Sequence, residues 1–332
     1  MQYGFSIKRK CYLLSVLLMT VWLTGCVQEE FESTPSPAGN GIRFTLTVPD
    51  VNLPSVSSRT MTGTGTAKKE DEIETVDILV FDMSKTPAVY LECVSATGVT
   101  QDLADNSTVS FSAVLSPTTA STCIVVVANK ELDNIVSGFT KGATTKVEAM
   151  EKMLHTQTGK WLADGSTTGG YTRIPMYGEK VISKITPSMD PITGINMKRM
   201  LARIDIRNNS ATSNFTVEEV YLANYNTTGY IAPAWNTNGQ VTDPVPDTPV
   251  LPAGSGKMTE EGDAILYSVN GNTPYDGEIY TFESLAAEDA GGAGADGEAS
   301  RKDATCLIVK GRIGTGESTF YRVDFTKNGN TG

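Results

Sequence analysis

The 332-residue chain carries 38 Asp and Glu against 27 Lys and Arg, a formal net charge of −11, and one histidine. So acidic a balance argues against nucleic acid as a partner and against a basic patch for anionic lipid. A single His155 cannot build a multi-histidine metal site, and no G-x-S-x-G elbow accompanies it, so hydrolytic chemistry has little to stand on.

Lys8-Arg9-Lys10 precedes an apolar run from Cys11 to Leu23, which ends in Leu23-Thr24-Gly25-Cys26. This is the plan of a secretory signal over residues 1–25, and the run falls short of the roughly 20 apolar residues that a spanning helix needs. The small residues directly before Cys26 resemble a lipobox, which makes Cys26 the expected lipidated residue, bearing palmitate-type acyl chains. Removing residues 1–25 leaves 307 residues, with 24 basic against 38 acidic side chains. That length suits two domains, or one large β domain. Cys93, Cys123 and Cys306 remain in strand-like surroundings, read as buried free thiols with a Cys93–Cys123 bridge as the alternative.

Residues 26–41, rich in Glu, Ser, Pro and Gly, read as a flexible tether. Ile42, Phe44, Leu46 and Val48 then alternate with polar residues, the period of a half-buried strand. A Ser/Thr/Gly-rich stretch from Ser55 to Ala67 follows, with Arg59 its single basic residue before Lys68 and Lys69. It reads as an exposed loop. The nearly continuous apolar runs Ile73 to Phe81 and Cys123 to Ala128 predict central strands covered on both faces.

One helix is predicted over Thr145 to His155, with Val147, Met150 and Leu154 on its buried face and His155 exposed at its C-terminal end. Further strands are expected over 197–207, 216–223, 264–269, 278–283, 305–311 and 319–325, separated by loops rich in Pro, Gly and Asn. Many short strands and little helix predict an all-β fold with minor helix, built as antiparallel sandwiches.

Candidate chemistry is sparse. Gly63-Thr-Gly65 and Gly314-Thr-Gly316 lack the remainder of a phosphate loop and read as turns. Glu288, Asp289, Asp296, Glu298 and Asp303 could offer oxygen ligands, yet their spacing matches no EF-hand and the segment reads as a solvated loop. No metal, cofactor or catalytic residue is therefore expected, and no enzyme activity. Trp161, Trp235, Tyr225 and Tyr230 could form a sugar platform if exposed, with core packing as the alternative.

Several segments resemble the fimbrillins, the pilins of Bacteroidales type V fimbriae. Ile78-Leu-Val-Phe-Asp82 is similar to the family's early core strand and Cys123 to Asn129 to its next hallmark strand. Ile174-Pro-Met-Tyr-Gly178 resembles its "iPM.G" segment and Lys198-Arg-Met-Leu-Ala-Arg-Ile204 its "R..A.i" strand. Ile279-Tyr-Thr-Phe-Glu-Ser284, Cys306 to Gly311 and Phe320 to Phe325 are similar to its later segments, in the family's order. The resemblance implies two transthyretin-like antiparallel β-sandwich domains in tandem, 42–194 and 195–332. Family members continue past the last of these strands, so the second domain is expected to be incomplete at its C-terminal end.

The resemblance also implies a function. Family pilins are exported as outer-membrane lipoproteins, cut by an arginine- or lysine-specific protease in the loop after the first strand, and joined by β-strand addition between fimbrial subunits. Here Cys26 would carry the lipid, Arg59 would be cut, with Lys68 and Lys69 as alternatives, and the displaced strand would carry Ile42, Phe44, Leu46 and Val48. Burial of those four side chains is worth roughly 6–12 kcal/mol before strain and entropy. The expected role is structural and adhesive, toward host or bacterial surface ligands. The alternative is a surface lipoprotein, a tip adhesin that binds glycan or protein without polymerising.

Overall fold

The computed structural model describes residues 42–48, 70–101, 108–162, 172–206, 208, 214–241, 249–253, 264–268, 275–287 and 304–325. Cys26, Arg59, Lys68, Lys69 and the acidic segment 288–303 lie outside the described residues. Among the described residues strands dominate, in several antiparallel sheets, with two short helices.

The first sandwich is made of two sheets. Sheet A has the order β4-β5-β1-β9, from Thr97–Gln101 (β4), Thr108–Ala113 (β5), Ile42–Thr47 (β1) and Ile192–Asn196 (β9). Sheet B has the order β10-β8-β6-β2-β3, from Lys198–Arg199 (β10), Met176–Ile182 (β8), Thr122–Ala128 (β6), Val76–Asp82 (β2) and Val89–Ser95 (β3). Alternate residues of β2 and β6, namely Ile78, Val80, Ile124 and Val126, pack against Phe44, Leu46, Val109 and Phe111 of sheet A. The other residues, Leu79, Phe81, Cys123, Val125 and Val127, enter a second core on the far side of sheet B. This two-sided burial explains why both strands read as nearly continuous apolar runs.

That second core is roofed by α2 (Lys146–Lys152), which follows the short α1 (Asp133–Val136). Thr145 caps α2 in a reciprocal arrangement: its side chain accepts from the Glu148 N–H while the Glu148 carboxylate accepts from the Thr145 N–H. The helix is shorter than the sequence suggests and turned on its axis. Lys146, Ala149, Met150 and the following Met153 are buried, whereas Val147 and Leu154 are only half-buried. A salt bridge of 2.6 Å from Lys146 Nζ to Glu179 allows a lysine to occupy the buried stripe.

His155 is not at a helix end. It lies in β7 (Leu154–Thr156), paired with Gly229 of β13 (Thr228–Tyr230), and its ring sits 5.0 Å from Trp161 and 6.3 Å from Phe282. Burial, followed by the charge of Lys130, holds its pKa below the usual value.

A second sandwich sets the sheet β14-β12-β16-β17, from Ile265–Ser268 (β14), Phe215–Ala223 (β12), Cys306–Ile313 (β16) and Thr319–Asp324 (β17), against the pair β11 (Leu201–Ile206) and β15 (Tyr275–Phe282). Val220, Leu222, Tyr267 and Leu307 of the larger sheet meet Ile279, with Ile204 and Ile206 packed alongside. Tyr280 and Phe282, on β15, reach instead into the core beneath α2.

All three described cysteines are free. Cys93 of β3 stands opposite Leu79, and Cys123 of β6 opposite Phe81, so β2 separates them. Two strand spacings, about 9.5 Å, exceed the reach of a disulfide.

Candidate functional site: the first strand and its slot

Strand β1 alternates between solvent and core. Ile42, Phe44, Leu46 and the following Val48 are 3%, 1%, 0% and 1% exposed, while Arg43 and Thr47 face solvent. The four predicted strand residues thus come together on one face, over Ile78, Val80, Ile124 and Val126 of sheet B. The cluster that surrounds them is built of apolar side chains.

The strand is held on both sides. With β5 it forms an unbroken antiparallel ladder, Ile42 opposite Ala113 through Thr47 opposite Thr108. With β9 it pairs in parallel, Phe44 opposite Ile192 and Leu46 opposite Ile195, with an irregularity between them. Met197 N–H donates to the Thr47 carbonyl at 2.9 Å and fastens the end. Withdrawing β1 would therefore leave a gap between two strands with unsatisfied edges on each side, rather than one free edge.

Residues 49–69 lie outside the described residues, and the chain is next seen at Glu70. Glu70 is 6% exposed. Arg203 Nη1 is 2.9 Å from both of its carboxylate oxygens, and the Tyr280 hydroxyl donates to it at 2.6 Å. Its carbonyl accepts from Arg199 Nε at 3.0 Å, and Arg203 Nη2 turns to Asp205 at 3.0 Å. Burial, with the neighbouring Glu70 carboxylate, pushes the Tyr280 hydroxyl far above its usual pKa, so it stays a donor.

The next residues are stitched in as well. Asn129, at a left-handed φ of 58°, accepts from the Glu74 N–H at 3.0 Å and donates to the carbonyls of Glu72 and Ile174 at 2.8 and 3.0 Å. The Gln101 side chain bridges the Ile73 N–H and the Asp71 carbonyl at 3.1 and 2.7 Å. None of these bonds uses β1. The lead-in to β2 is fixed to the body by its own contacts.

Sequence reasoning found the strand and missed its setting. Phe111 carries a signal that could have been used, since Val109, Phe111 and Ala113 alternate with serines. Glu70 and Asn129 give no local sign, because their partners lie up to 210 residues away. The proposed aromatic platform does not assemble. Trp161 and Tyr225 are buried, and half-buried Tyr230 and Trp235 meet edge to face at 79°.

Among the described residues no helix is long and apolar enough to cross a membrane, and no three His, Cys, Asp or Glu gather as metal ligands. The model of the major fimbrial subunit protein (FimA) family matches residues 42–245, beginning at the first residue of β1. The chain belongs to this family. Fimbrial subunits are structural proteins of cell-surface fimbria that associate with other subunits, and the family is not one of enzymes.

Among solved structures, this FimA-family chain is similar to the tip fimbrial protein Mfa3 from Porphyromonas gingivalis with C-terminal truncation. The two share 16% identity over 86% of this chain and 81% of that one, with a TM-score of 0.44. It is also similar to a fimbrial assembly protein from Parabacteroides distasonis, at 12% identity over 87% and 86% of the two chains and a TM-score of 0.40. No curated protein sequence matches significantly.

Proposed function

We propose that this fimbrial subunit is exported as a lipoprotein, anchored at the outer membrane through Cys26, and cut between β1 and β2, after Arg59 or else after Lys68 or Lys69. The departing β1 vacates its slot, and an extended segment of a neighbouring subunit fills it by β-strand addition. The first of two sandwich domains is the acceptor, and the polymer serves adhesion to host or bacterial surfaces.

One observation carries the reading. The first strand sits in the middle of sheet A with four buried apolar side chains, while the chain on the far side of residues 49–69 is pinned at Glu70 without help from it. A strand placed in this way can leave without unravelling β2, and the gap offers main-chain hydrogen bonds on two sides and apolar pockets at alternate positions.

The experiment is to treat the lipidated precursor with a trypsin-like protease, sequence the new N-terminus, and follow oligomers by gel electrophoresis. A new N-terminus at residue 60, 69 or 70 with ladder-like oligomers appearing only after the cut is the expected result. Cleavage elsewhere, or a cut chain that stays monomeric at any concentration, would sink the proposal.

A further inference from the structure

The slot has a graded lining. At the Ile42 position the neighbour on β5 is the small Ala113. At the Leu46 position the neighbours are Val109 on β5 and Ile195 on β9. At the Phe44 position they are Phe111 on β5 and Ile192 on β9. Phe44 and Phe111 lie with ring centroids 5.0 Å apart and planes 8° from parallel, at 1% and 3% exposure. The middle of the slot is therefore walled on one side by a flat aromatic face and on the other by a β-branched side chain.

We infer that Phe111 sets the sequence specificity of the slot: the segment that replaces β1 runs antiparallel to β5 and carries an aromatic side chain at the second of its four inward positions. This rests on the strand-exchange reading above and names the chemistry of the partner. The direction follows from the ladders. Six consecutive residue pairs join β1 to β5 without a break, whereas the parallel pairing to β9 is irregular between Phe44 and Leu46. A strand entering in the reverse direction would run parallel to β5 and antiparallel to β9, and so would give up the six-pair ladder with β5 along with the pairing to β9.

The aromatic requirement follows from packing. A stacked ring pair gains beyond the area it buries, and an aliphatic side chain at that position leaves the Phe111 face partly uncovered among apolar neighbours, which offer water no hydrogen bonds. The other inward positions ask only for apolar side chains of suitable size, aliphatic beside Ala113 and leucine-like between Val109 and Ile195. The occupant is thus an extended segment of the form aliphatic, x, aromatic, x, aliphatic, x, apolar, where x points away from the core.

The test uses the full chain cut in the 49–69 segment and a fluorescent synthetic peptide with the sequence of residues 41–49. Anisotropy should report binding to the cut chain and none to the intact one. A peptide bearing Phe44→Leu should bind about three- to tenfold more weakly, and against a Phe111→Leu chain the two peptides should differ by less than about twofold. Equal binding of the two peptides to the chain with native Phe111 overturns this inference and leaves the slot standing. Failure of every peptide, after the first strand has left, removes strand exchange itself. The comparison on native Phe111 is decisive even if the Phe111→Leu chain fails to fold.

Discussion

Arg203 Nη1 lies 2.9 Å from both carboxylate oxygens of Glu70, across 133 residues of sequence. Burial by itself would lower the Arg203 pKa, but the hydrogen bond and charge of Glu70, joined by Asp205, outweigh it and raise it. The pair ties the lead-in of β2 to β11 of the second sandwich, so that the chain just after the 49–69 segment is held by a charged network in which β1 has no part.

Glu70→Ala should be among the most damaging single changes outside the apolar core. It removes the carboxylate that both the Arg203 cation and the Tyr280 hydroxyl bond, with Asp205 still beside Arg203, and a loss of about 3 kcal/mol is expected for breaking a buried pair. The urea midpoint reads it. A loss under about 0.5 kcal/mol, the size of an ordinary surface change, would mean the network is not a clamp.

Within β1 the two faces should answer differently. Leu46→Ala removes a side chain with no exposed surface and should cost about 2–5 kcal/mol. Thr47→Ala, on the exposed face, should stay within about 0.5 kcal/mol. Chemical denaturation of the uncut chain measures both, and comparable losses would contradict the one-faced burial.

Gly178 of β8 lies under β9. A methyl group there would stand 2.7 Å from Met197 Sδ and 2.8 Å from Ile195 Cγ2, with the Asn196 carbonyl at 3.1 Å. Gly178→Ala should push β9 away from its neighbours and destabilise the chain by about 1–3 kcal/mol. Hydrogen exchange at β1 and β9 should speed up together, whereas unchanged protection on both would count against the close approach.

His155 predicts a pH effect whose sign is fixed. Its folded-state pKa is depressed, so the unfolded chain takes up the proton first. The stability owed to neutral His155 is complete above the unfolded value of 6.5 and is lost as the pH falls through 6.5 toward the lower folded value. Melting curves of the native chain and of His155→Gln should diverge in slope below that pH and run parallel above it. Parallel curves throughout would show that the imidazole is free to protonate in place.

The thiols should be silent. Burial, then the charges of Asp77 and Asp133, pushes Cys93 to about 12, and burial pushes Cys123 to about 11 despite the nearby Lys146 cation. At pH 8 neither thiolate forms to a useful extent, so alkylation followed by mass spectrometry should label both only after unfolding. Rapid labelling of Cys123 in the native chain would contradict its place in the core.

Where the sequence misled, the reason is the same at each place. The Thr145-x-x-Glu148 capping box is visible in one dimension, and the helix begins where it says. The buried stripe is not visible, since Lys146 can turn inward only because Glu179, on β8, waits for it. His155 reads as a helix end because Leu154 continues the apolar period, yet pairing with β13 pulls that residue into a strand. Trp161 reads as a candidate platform because exposure is a property of the folded surface.

The sequence by itself determined which segments could be strands and which faces of them are apolar, because alternation along an extended backbone is a local property. It marked β1 as one-faced and β2 and β6 as two-faced. Only the tertiary structure decided that β1 lies between β5 and β9, that Phe111 walls its slot, and that Glu70 closes on Arg203. Those relations join residues far apart in the chain, and they exist only where packing brings their side chains within contact distance.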